Sequence, residues 1–367
     1  MRKFVVLLIL LLPLPVGAEW ELALPGWQYS FPADHGNHPG FKTEWWYFTG
    51  NLGNKDGREF GYQLTFFRQG ITPPKAAIPA TSRFIARNIQ FAHFAVADIG
   101  SGKFHFAQKL TRGAFGEAGF DEGEKVAWID DWTCQLTGLH SFRLRAVGDG
   151  AEIDLALESE KDPVFHGREG VSQKAGGEGR ASHYYSLTRL KTTGTITLPE
   201  GSFPVTGLSW FDHEWATNQL AAHQTGWDWF SLQFSDGSDL MIFQIRTSDG
   251  SRDPYSGGTF VAPDGTQTPV SNSAFALIPS GEWKSPRTGG RYPTRWKLGI
   301  PHLGISLEID AAFEAQELAL QPVAYWEGAI RATGSLGGQA ASARGYLEMT
   351  GYGSPVVGMQ APPPAAP

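Results

Sequence analysis

Residues 44–68 read EWWYFTGNLGNKDGREFGYQLTFFR, and residues 226–246 read GWDWFSLQFSDGSDLMIFQIR. In each stretch an aromatic segment begins at a tryptophan, Trp45 or Trp227. This segment is followed by Asp-Gly and then by a second apolar segment. Asp-Gly favours the positive φ angles of a tight hairpin, so each stretch predicts strand, turn and strand. The copies lie half a chain length apart, which predicts two similar β units joined near residue 216.

Short segments of alternating apolar and polar residues recur along the chain, among them residues 60–68, 91–98, 153–158 and 229–234. A repeat of two is the pattern of strands, whereas Gly and Pro interrupt nearly every window that could form a helix. The 45 glycines, 24 prolines and 13 tryptophans are typical of an all-β protein, which is the fold class we predict. Residues 167–181 are polar and glycine-rich and predict a mobile loop.

Charge and the first residues limit the class of protein. The 367 residues include 30 Lys plus Arg and 37 Asp plus Glu, and this formal net charge of −7 argues against a nucleic-acid binder.

Arg2 and Lys3 precede an apolar run that ends in small residues at Ala18, which predicts a signal peptide cleaved after Ala18 and a periplasmic or secreted protein. The run is too short for a spanning helix, so we expect no membrane anchor. Cys134 is the single cysteine, which excludes an internal disulfide.

The chain is also longer than one hydrophobic core usually fills, in agreement with two units. We predict a signal peptide over residues 1–18, an N-terminal domain over 19–216, a C-terminal domain over 217–353 and a disordered tail over 354–367.

Residues 210–215, WFDHEW, and residues 226–230, GWDWF, form the densest candidate site. Carboxyl and imidazole groups among indole rings acquire shifted proton affinities when they are buried. The alternative interpretation is that Asp212 and His213 orient a turn while the tryptophans fill a core. Charges among aromatic rings must be paired or used, which favours Asp212, His213 and Asp228 as candidate catalytic residues. The accompanying candidates for ligand contact are Trp215, Trp227 and Trp229.

A second aromatic segment opens the first unit at Glu44-Trp45-Trp46-Tyr47-Phe48. On a strand, Glu44, Trp46 and Phe48 share one face, while Trp45 and Tyr47 share the other. One aromatic face can therefore pack in a core while the other lines a cavity, and we take Glu44, Trp45 and Trp46 as candidate ligand contacts. The remaining candidates for ligand contact are His93, Tyr325 and Trp326. For His93, a hydrogen-bonded core histidine is the default and a cavity-lining one the alternative.

Other chemistries have weaker signals. A zinc-protease motif at His213-Glu214 would need its second histidine at Thr217, and Gly207-Leu208-Ser209-Trp210 lacks the closing glycine of a nucleophile elbow. We therefore expect neither a metal nor a cofactor. The remaining metal alternative is a looser site drawn from His35, His38, His93, His213 and His223.

Several strings also resemble one family from about His38 to Tyr352, the AttH and carotenoid 1,2-hydratase (hydroxyneurosporene synthase) superfamily. The strings are HPGFKTEWWYFTGNL, FGYQLTFFR, FAHFAVAD, HYYSLTRL, SWFDHEW, GWDWFSLQFSDGSDLMIFQIR, YWEGAI and GYLEMTGY. The resemblance implies two consecutive lipocalin-like β-barrel or β-sandwich domains, and a hydrophobic ligand held by the first barrel or at the seam between the two. In the hydratase branch it implies an Asp helped by His, Trp and Tyr. His213 and Trp215 fit that pattern, whereas the strand after Asp239 offers neither Asp nor Tyr.

Two hypotheses from different classes follow. In the first, the chain is an exported carrier for a lipid or isoprenoid and works with a lipoprotein-type ABC transporter, as the resemblance to exported members implies. In the second, it is a hydro-lyase of the carotenoid 1,2-hydratase type. There Asp212 or Asp228, with a raised pKa, protonates an alkene, indole faces stabilise the cation, and water adds.

Overall fold

The computed structural model describes residues 19–76, 86–122 and 124–356. The predicted signal peptide over residues 1–18, with its cleavage site, and residues 357–367 of the predicted tail lie outside the described residues. The first residues of that tail are described, and the Ser354 hydroxyl accepts a hydrogen bond from the Ala324 amide at 2.8 Å.

The described residues are almost entirely strands, which confirms the predicted all-β class. The first part of the chain forms β1 (Thr43–Gly53), β2 (Glu59–Gly70), β3 (Asn88–Asp98), β4 (Lys103–Thr111), β5 (Ala118–Glu122), β6 (Lys125–Ile129), β7 (Trp132–Gly138), β8 (Ser141–Gly148), β9 (Ala151–Ser159), β10 (Val164–Phe165), β11 (Val171–Gln173), β12 (Ala181–Leu198) and β13 (Gly201–Ala216). The second part forms β14 (Gln224–Phe234), β15 (Asp239–Thr247), β16 (Gly257–Val261), β17 (Gln267–Ser271), β18 (Ala276–Ser280), β19 (Trp283–Lys284), β20 (Arg291–Tyr292), β21 (Arg295–Ile300), β22 (Ile305–Ala311), β23 (Glu317–Ala319), β24 (Ala324–Leu336) and β25 (Gln339–Met349). Four single turns of 3₁₀ helix lie at Ala33–His35, Ala114–Gly116, Asn272–Ala274 and Pro301–Leu303.

Each part of the chain builds one antiparallel sheet around its first strand. The first sheet runs β4-β3-β2-β1-β13-β12-β9-β8-β7-β6-β5 and curves into a nearly closed barrel, with β10 and β11 added to β12. The second runs β17-β16-β15-β14-β25-β24-β22-β21-β18, with β23 added to β24, and β19 and β20 form a separate ribbon. In both sheets the first strand pairs with the second strand on one side and with the last strand on the other.

The two hairpins that decide the fold form as the sequence predicts. Gly57 and Gly237 have φ angles of 82° and 93°, the left-handed region that an Asp-Gly turn requires. The alternation along β1 also follows the prediction, because Trp46 and Phe48 lie in the core of the first barrel while Trp45 and Tyr47 face outward, toward the second sheet. The predicted division of this strand into two aromatic faces is therefore confirmed.

Three larger apolar clusters, and a small fourth one around Ala95, Leu318 and Tyr325, form among the described residues. One fills the interior of the first barrel and one the inner face of the second sheet. The third lies between the sheets and includes Tyr47, Tyr184 and Trp210 of the first with Trp229 and Tyr346 of the second. The outer faces of the two sheets thus form an interface of their own, and this seam is where a cavity remains.

The prediction of a mobile loop over residues 167–181 is wrong. Val171–Gln173 forms β11 and pairs with β12, and Lys174 is buried, with its carbonyl accepting a hydrogen bond from the Gln224 amide at 2.8 Å. The segment packs because it fills the junction between the two sheets, and polarity alone does not show that contact. Within the described ranges, no helix has the length and apolar character needed to cross a bilayer.

Closure of the second sheet depends on a glycine. Gly345 of β25 lies opposite Leu232 of β14, and a Cβ added there would lie 1.8 Å from the Ser231 carbonyl oxygen. We therefore expect Gly345→Ala to lower the free energy of unfolding by about 2–4 kcal/mol, measured by urea denaturation. Gly299→Ala on β21 is the control, because its Cβ would meet no described atom within 4 Å, and it should change stability by less than about 0.5 kcal/mol. Equal stability of the two variants would contradict this assignment.

Candidate functional site

A cavity of about 180 Å³ lies in the seam between the outer faces of the two sheets. Its wall is mostly aromatic and aliphatic, with a few ionisable side chains at defined positions. The first sheet supplies Trp45, Tyr47, Phe67, Phe91, His93, Tyr184, Asp212 and Glu214, and the second supplies Trp227, Trp229, Phe243, Ile245, Tyr325 and Glu348. The predicted candidates Trp45, His93, Asp212, Trp227, Trp229 and Tyr325 are thus brought together around one cavity, and Glu44 reaches its edge.

Strand alternation decides which residues of the WFDHEW segment face this cavity. Tyr47 pairs with Asp212 across β1 and β13, while Trp46 pairs with His213. Successive side chains of a strand point to opposite faces. Asp212 therefore faces the seam together with Tyr47, and His213 faces the interior of the first barrel together with Trp46. These neighbours in sequence belong to two different environments.

Asp212 is a buried carboxyl group held by three donors. Oδ2 accepts a hydrogen bond from the Tyr184 hydroxyl at 2.6 Å, and Oδ1 accepts one from the Trp210 indole at 2.6 Å and another from the Ser186 hydroxyl. Burial disfavours the carboxylate and outweighs these three bonds, and the nearby Glu214 adds repulsion, so the pKa of Asp212 is raised to about 7. Near neutral pH this group can therefore hold a proton and release it.

The donors to Asp212 are themselves fixed by further contacts. The Trp229 indole donates to the Tyr184 hydroxyl at 3.0 Å, and His166 lies 2.6 Å from the Ser186 hydroxyl through Nε2. Burial lowers the pKa of His166 to about 3, so this ring is neutral. Because Tyr184 and Trp229 come from different sheets, the position of the acid depends on the assembly of both.

The cavity walls offer π faces and one ion pair. Phe67 and Phe91 stack at 4.5 Å between ring centroids, and Trp229 meets Tyr47 edge to face at 5.2 Å. Lys174 pairs with Glu214 at 3.2 Å, and its ammonium group lies 4.5 Å from the Phe243 ring centroid. Aromatic faces such as these stabilise a cation through the ring quadrupole.

Two further polar groups lie on the wall supplied by the second sheet. The Trp227 indole donates to Oε2 of Glu348 at 2.9 Å, and His93 of the first sheet hydrogen-bonds to the Tyr325 hydroxyl at 2.7 Å. Burial is the largest cause that raises the pKa of Glu348 to about 7, with contributions from Asp212, Glu214 and Asp228. Burial lowers the pKa of His93 to about 3. A neutral imidazole, hydrogen-bonded and lining the cavity, combines the two alternatives weighed for His93.

His213 belongs to a network inside the first barrel. Glu44 accepts hydrogen bonds from Arg68 at 3.0 Å and lies 2.7 Å from His38 and 3.1 Å from His213. The His38 ring stacks on Trp215 at 3.7 Å. Burial disfavours the charged form of His38, but Glu44 and Asp34 outweigh it and raise the pKa of His38 to about 9. Arg68 and His38 together hold the pKa of Glu44 well below its usual value, against the effect of burial.

By residue type, His38, Glu44 and His213 could ligate a metal, because their donor atoms lie within 4.8 Å of one another. The surroundings favour a salt-bridged network instead. Arg68 already neutralises Glu44, and the other nitrogen of His38 lies 3.1 Å from an Asp34 carboxylate oxygen. A divalent cation would have to compete with a guanidinium group at the same carboxylate.

Five predicted site residues do not line the cavity. Trp46, His213 and Trp215 lie inside the first barrel, and Asp228 and Trp326 belong to the second sheet. Asp228 is buried between Gln244, which donates to it at 2.8 Å, and Arg246, with which it forms an ion pair. Trp326 lies in the core of the second sheet, and its indole donates to the Glu314 carbonyl at 2.7 Å. The structure does not bring either residue together with Asp212.

The sequence interpretation passed over Tyr47, Tyr184, Lys174, Glu327 and Glu348 as site residues. Strand alternation was a usable signal for Tyr47, which shares a face with Trp45. Glu327 and Glu348 are isolated charges within apolar strands, YWEGAI and GYLEM. For Lys174, in a glycine-rich segment, no sequence pattern indicates burial.

Comparison with known proteins places the chain among related structures. The model of a protein family described as AttH-like matches residues 22–352. The chain is similar to the crystal structure of a protein from Nitrosomonas europaea that is assigned to AttH (32% identity, TM-score 0.80, covering 90% of this chain and 99% of that chain). It also resembles kievitone hydratase from Nectria haematococca (14% identity, TM-score 0.69, 89% and 93% covered) and CghA (10% identity, TM-score 0.54, 92% and 97% covered), which shows a shared fold. No curated protein matches the sequence.

The network around Glu44 predicts a pH-dependent contribution to stability. The pKa of His38 is about 9 in the folded protein, above the ordinary value of 6.5, so its contribution is full below pH 6.5 and is lost as the pH rises through 9. We expect His38→Gln to lower the free energy of unfolding by about 3 kcal/mol near pH 6, with a difference from wild type that shrinks toward pH 10. Urea denaturation at several pH values measures this difference. The control is His302→Gln at an exposed turn, and a His38→Gln deficit that stays constant between pH 6 and 10 would contradict the assignment.

Proposed function

The chain belongs to the AttH-like family, as its motifs predict, and from that premise we propose that it is a hydro-lyase that adds water to a carbon–carbon double bond of an apolar substrate. The observation that carries the proposal is the position of Asp212, whose buried carboxyl faces the cavity and is held by Tyr184, Ser186 and Trp210. A carboxyl group whose pKa is about 7 faces a cavity with aromatic walls. General acids work best when their pKa lies near the working pH.

The reaction follows from the positions of these groups. The Asp212 carboxyl donates its proton to one alkene carbon, whose π electrons form the new C–H bond, and a cation remains on the adjacent carbon. The rings of Tyr47, Trp229 and Trp227 lie around the same cavity and would stabilise this cation. A water oxygen then forms the C–O bond and releases a proton to a base. Tyr184 and Trp210 hold the Asp212 carboxyl in place during the transfer.

The comparisons are consistent with this proposal at the level of the fold. Kievitone hydratase, a hydratase by its name, shares the architecture across nearly the whole chain. Its 14% identity carries no information about substrate. We therefore derive the substrate class from the cavity, which favours an apolar molecule with a polar group small enough to reach Asp212 or the Lys174–Glu214 pair.

The second candidate is a carrier for a lipid or isoprenoid, which would act in the periplasm or outside the cell beside an ABC-type transporter. The mostly apolar wall of the cavity favours this alternative. A carrier needs no proton donor, whereas the Asp212 carboxyl faces the cavity in a position from which it can act as one. The two candidates differ in what happens to a bound alkene: a carrier returns it unchanged, and a hydro-lyase exchanges its protons with water.

We expect the purified protein to introduce deuterium into farnesol or geranylgeraniol in D₂O, detected by mass spectrometry as exchanged alkene or as a deuterated alcohol. Because Asp212 supplies the proton, Asp212→Asn should lower the rate by about 10²–10⁴-fold while the fold is retained. Asp310→Asn on the exposed face of β22 is the matched control and should leave the rate unchanged.

Two results would contradict the proposal. Exchange that survives Asp212→Asn would remove the acid, and a loss confined to Asp228→Asn would transfer the role to that residue. Tight binding of these isoprenoids, measured by quenching of tryptophan fluorescence, without any exchange would favour the carrier.

A further inference from the structure

Two glutamates occupy directly opposed positions beside the cavity. Glu327 of β24 pairs with Glu348 of β25, in a hairpin whose register is fixed by the two-residue turn Gly337-Gly338 between Leu336 and Gln339. Directly opposed residues of an antiparallel pair have Cβ atoms about 4.5–5.5 Å apart. Both side chains are on the face that looks toward the first sheet, because Trp326 and Leu347, their neighbours in sequence, lie in the core of the second.

Among the described residues, no cation neutralises this pair. Glu327 is fully buried, and neither of its oxygens has a hydrogen-bond donor in good geometry among the described residues. Within the ranges that the structure describes, neither glutamate forms an ion pair with a Lys, Arg or His. Like charges on two directly opposed glutamates, one of them fully buried, disfavour ionisation of both near neutral pH. The pKa of Glu327 is accordingly raised far above its usual value by burial, and further by Glu348.

Tyr47 connects this pair to the acid on the opposite wall. Its ring is buried in the seam, and it pairs with Asp212 across β1 and β13. Burial, and next the nearby Glu327 carboxyl, raise the pKa of its hydroxyl group. Glu348 itself lines the cavity, with one oxygen held by the Trp227 indole. The cavity thus has the Asp212 carboxyl on the wall of the first sheet, near the Lys174–Glu214 ion pair, and the Glu348 carboxyl on the wall of the second, where Glu348 pairs with Glu327.

We propose that Glu327 and Glu348 share one proton and that Glu348 is the base of this cavity, with Glu327 as the positioning residue that keeps the pair singly charged. The role as base rests on the proposed hydration. As the water oxygen forms its bond to the cationic carbon, one O–H bond breaks, its electrons stay on oxygen, and the proton passes to the Glu348 carboxylate. Asp212 ends the reaction without its proton and the pair with one more, and exchange with solvent through the open cavity restores both.

The sharing of a proton is tested without any substrate, by ¹³C NMR of the full chain labelled at the glutamate carboxyl carbons and titrated from pH 4 to 10. We expect two glutamate signals absent from Glu327→Gln and Glu348→Gln, respectively, with one of them still protonated above pH 7. In Glu348→Gln the midpoint of Glu327 should fall by at least one pH unit, because the like charge of the Glu348 carboxylate has been removed. Glu152→Gln, exposed on β9, is the control and should move neither signal.

Midpoints below pH 5.5 for both glutamates in the wild-type protein would overturn the pair, and so would a Glu327 midpoint unmoved by Glu348→Gln. The wild-type titration decides the first point even if a variant does not fold. The role as base has its own readout: Glu348→Gln should keep deuterium exchange into farnesol but lower the yield of the hydrated alcohol at least tenfold, and an unchanged yield would overturn that role. If the wild-type protein showed no Asp212-dependent exchange, the proposed function would be removed, whereas the shared proton would still be supported by the titration.

Discussion

The chemistry of this molecule depends on the burial of the Asp212 carboxyl in the seam between two sheets. Moving the pKa of an aspartate from 3.8 to about 7 corresponds to about 4 kcal/mol against the charged form. The folded protein meets this by keeping a proton on the group up to neutral pH, so stability falls as the pH rises between these two values. Three donors prevent a larger shift, and they hold the carboxyl at one position, which a packed apolar core alone could not do.

Two sheets are needed to create that environment. Each packs its own inner face, and the aromatic residues left on their outer faces, Tyr47 and Tyr184 on one side with Trp229 on the other, pack against each other. Further contacts fix the relative positions of the sheets: Asp239 of the second sheet binds Lys161, which follows β9, and Arg189 of β12, each at 2.7 Å. The cavity is therefore a property of the assembled pair, and the interior of the first barrel keeps a separate, salt-bridged network around Glu44.

Much of the fold follows from local patterns in the sequence. The Asp-Gly turns, the two aromatic segments that begin at Trp45 and Trp227, and the two-residue alternation predict the paired hairpins and the aromatic faces of β1. The same alternation separates Asp212 from His213, although their adjacency suggests one cluster. The pairing of Glu327 with Glu348 could be derived from Gly337-Gly338 as a hairpin turn. The burial of Lys174 and the alignment of Tyr184 with Trp229 depend on how the sheets meet, and no local pattern carries that information.

The most direct test of this account is the titration of Asp212 itself. A protein labelled with ¹³C at the aspartate carboxyl carbons gives the Asp212 signal by difference from Asp212→Asn. We predict a midpoint near pH 7 that falls toward ordinary values when the seam is opened by replacing Trp229 with alanine. A midpoint below 5 in the intact protein would contradict the central claim, because the cavity would then contain a carboxylate instead of an acid.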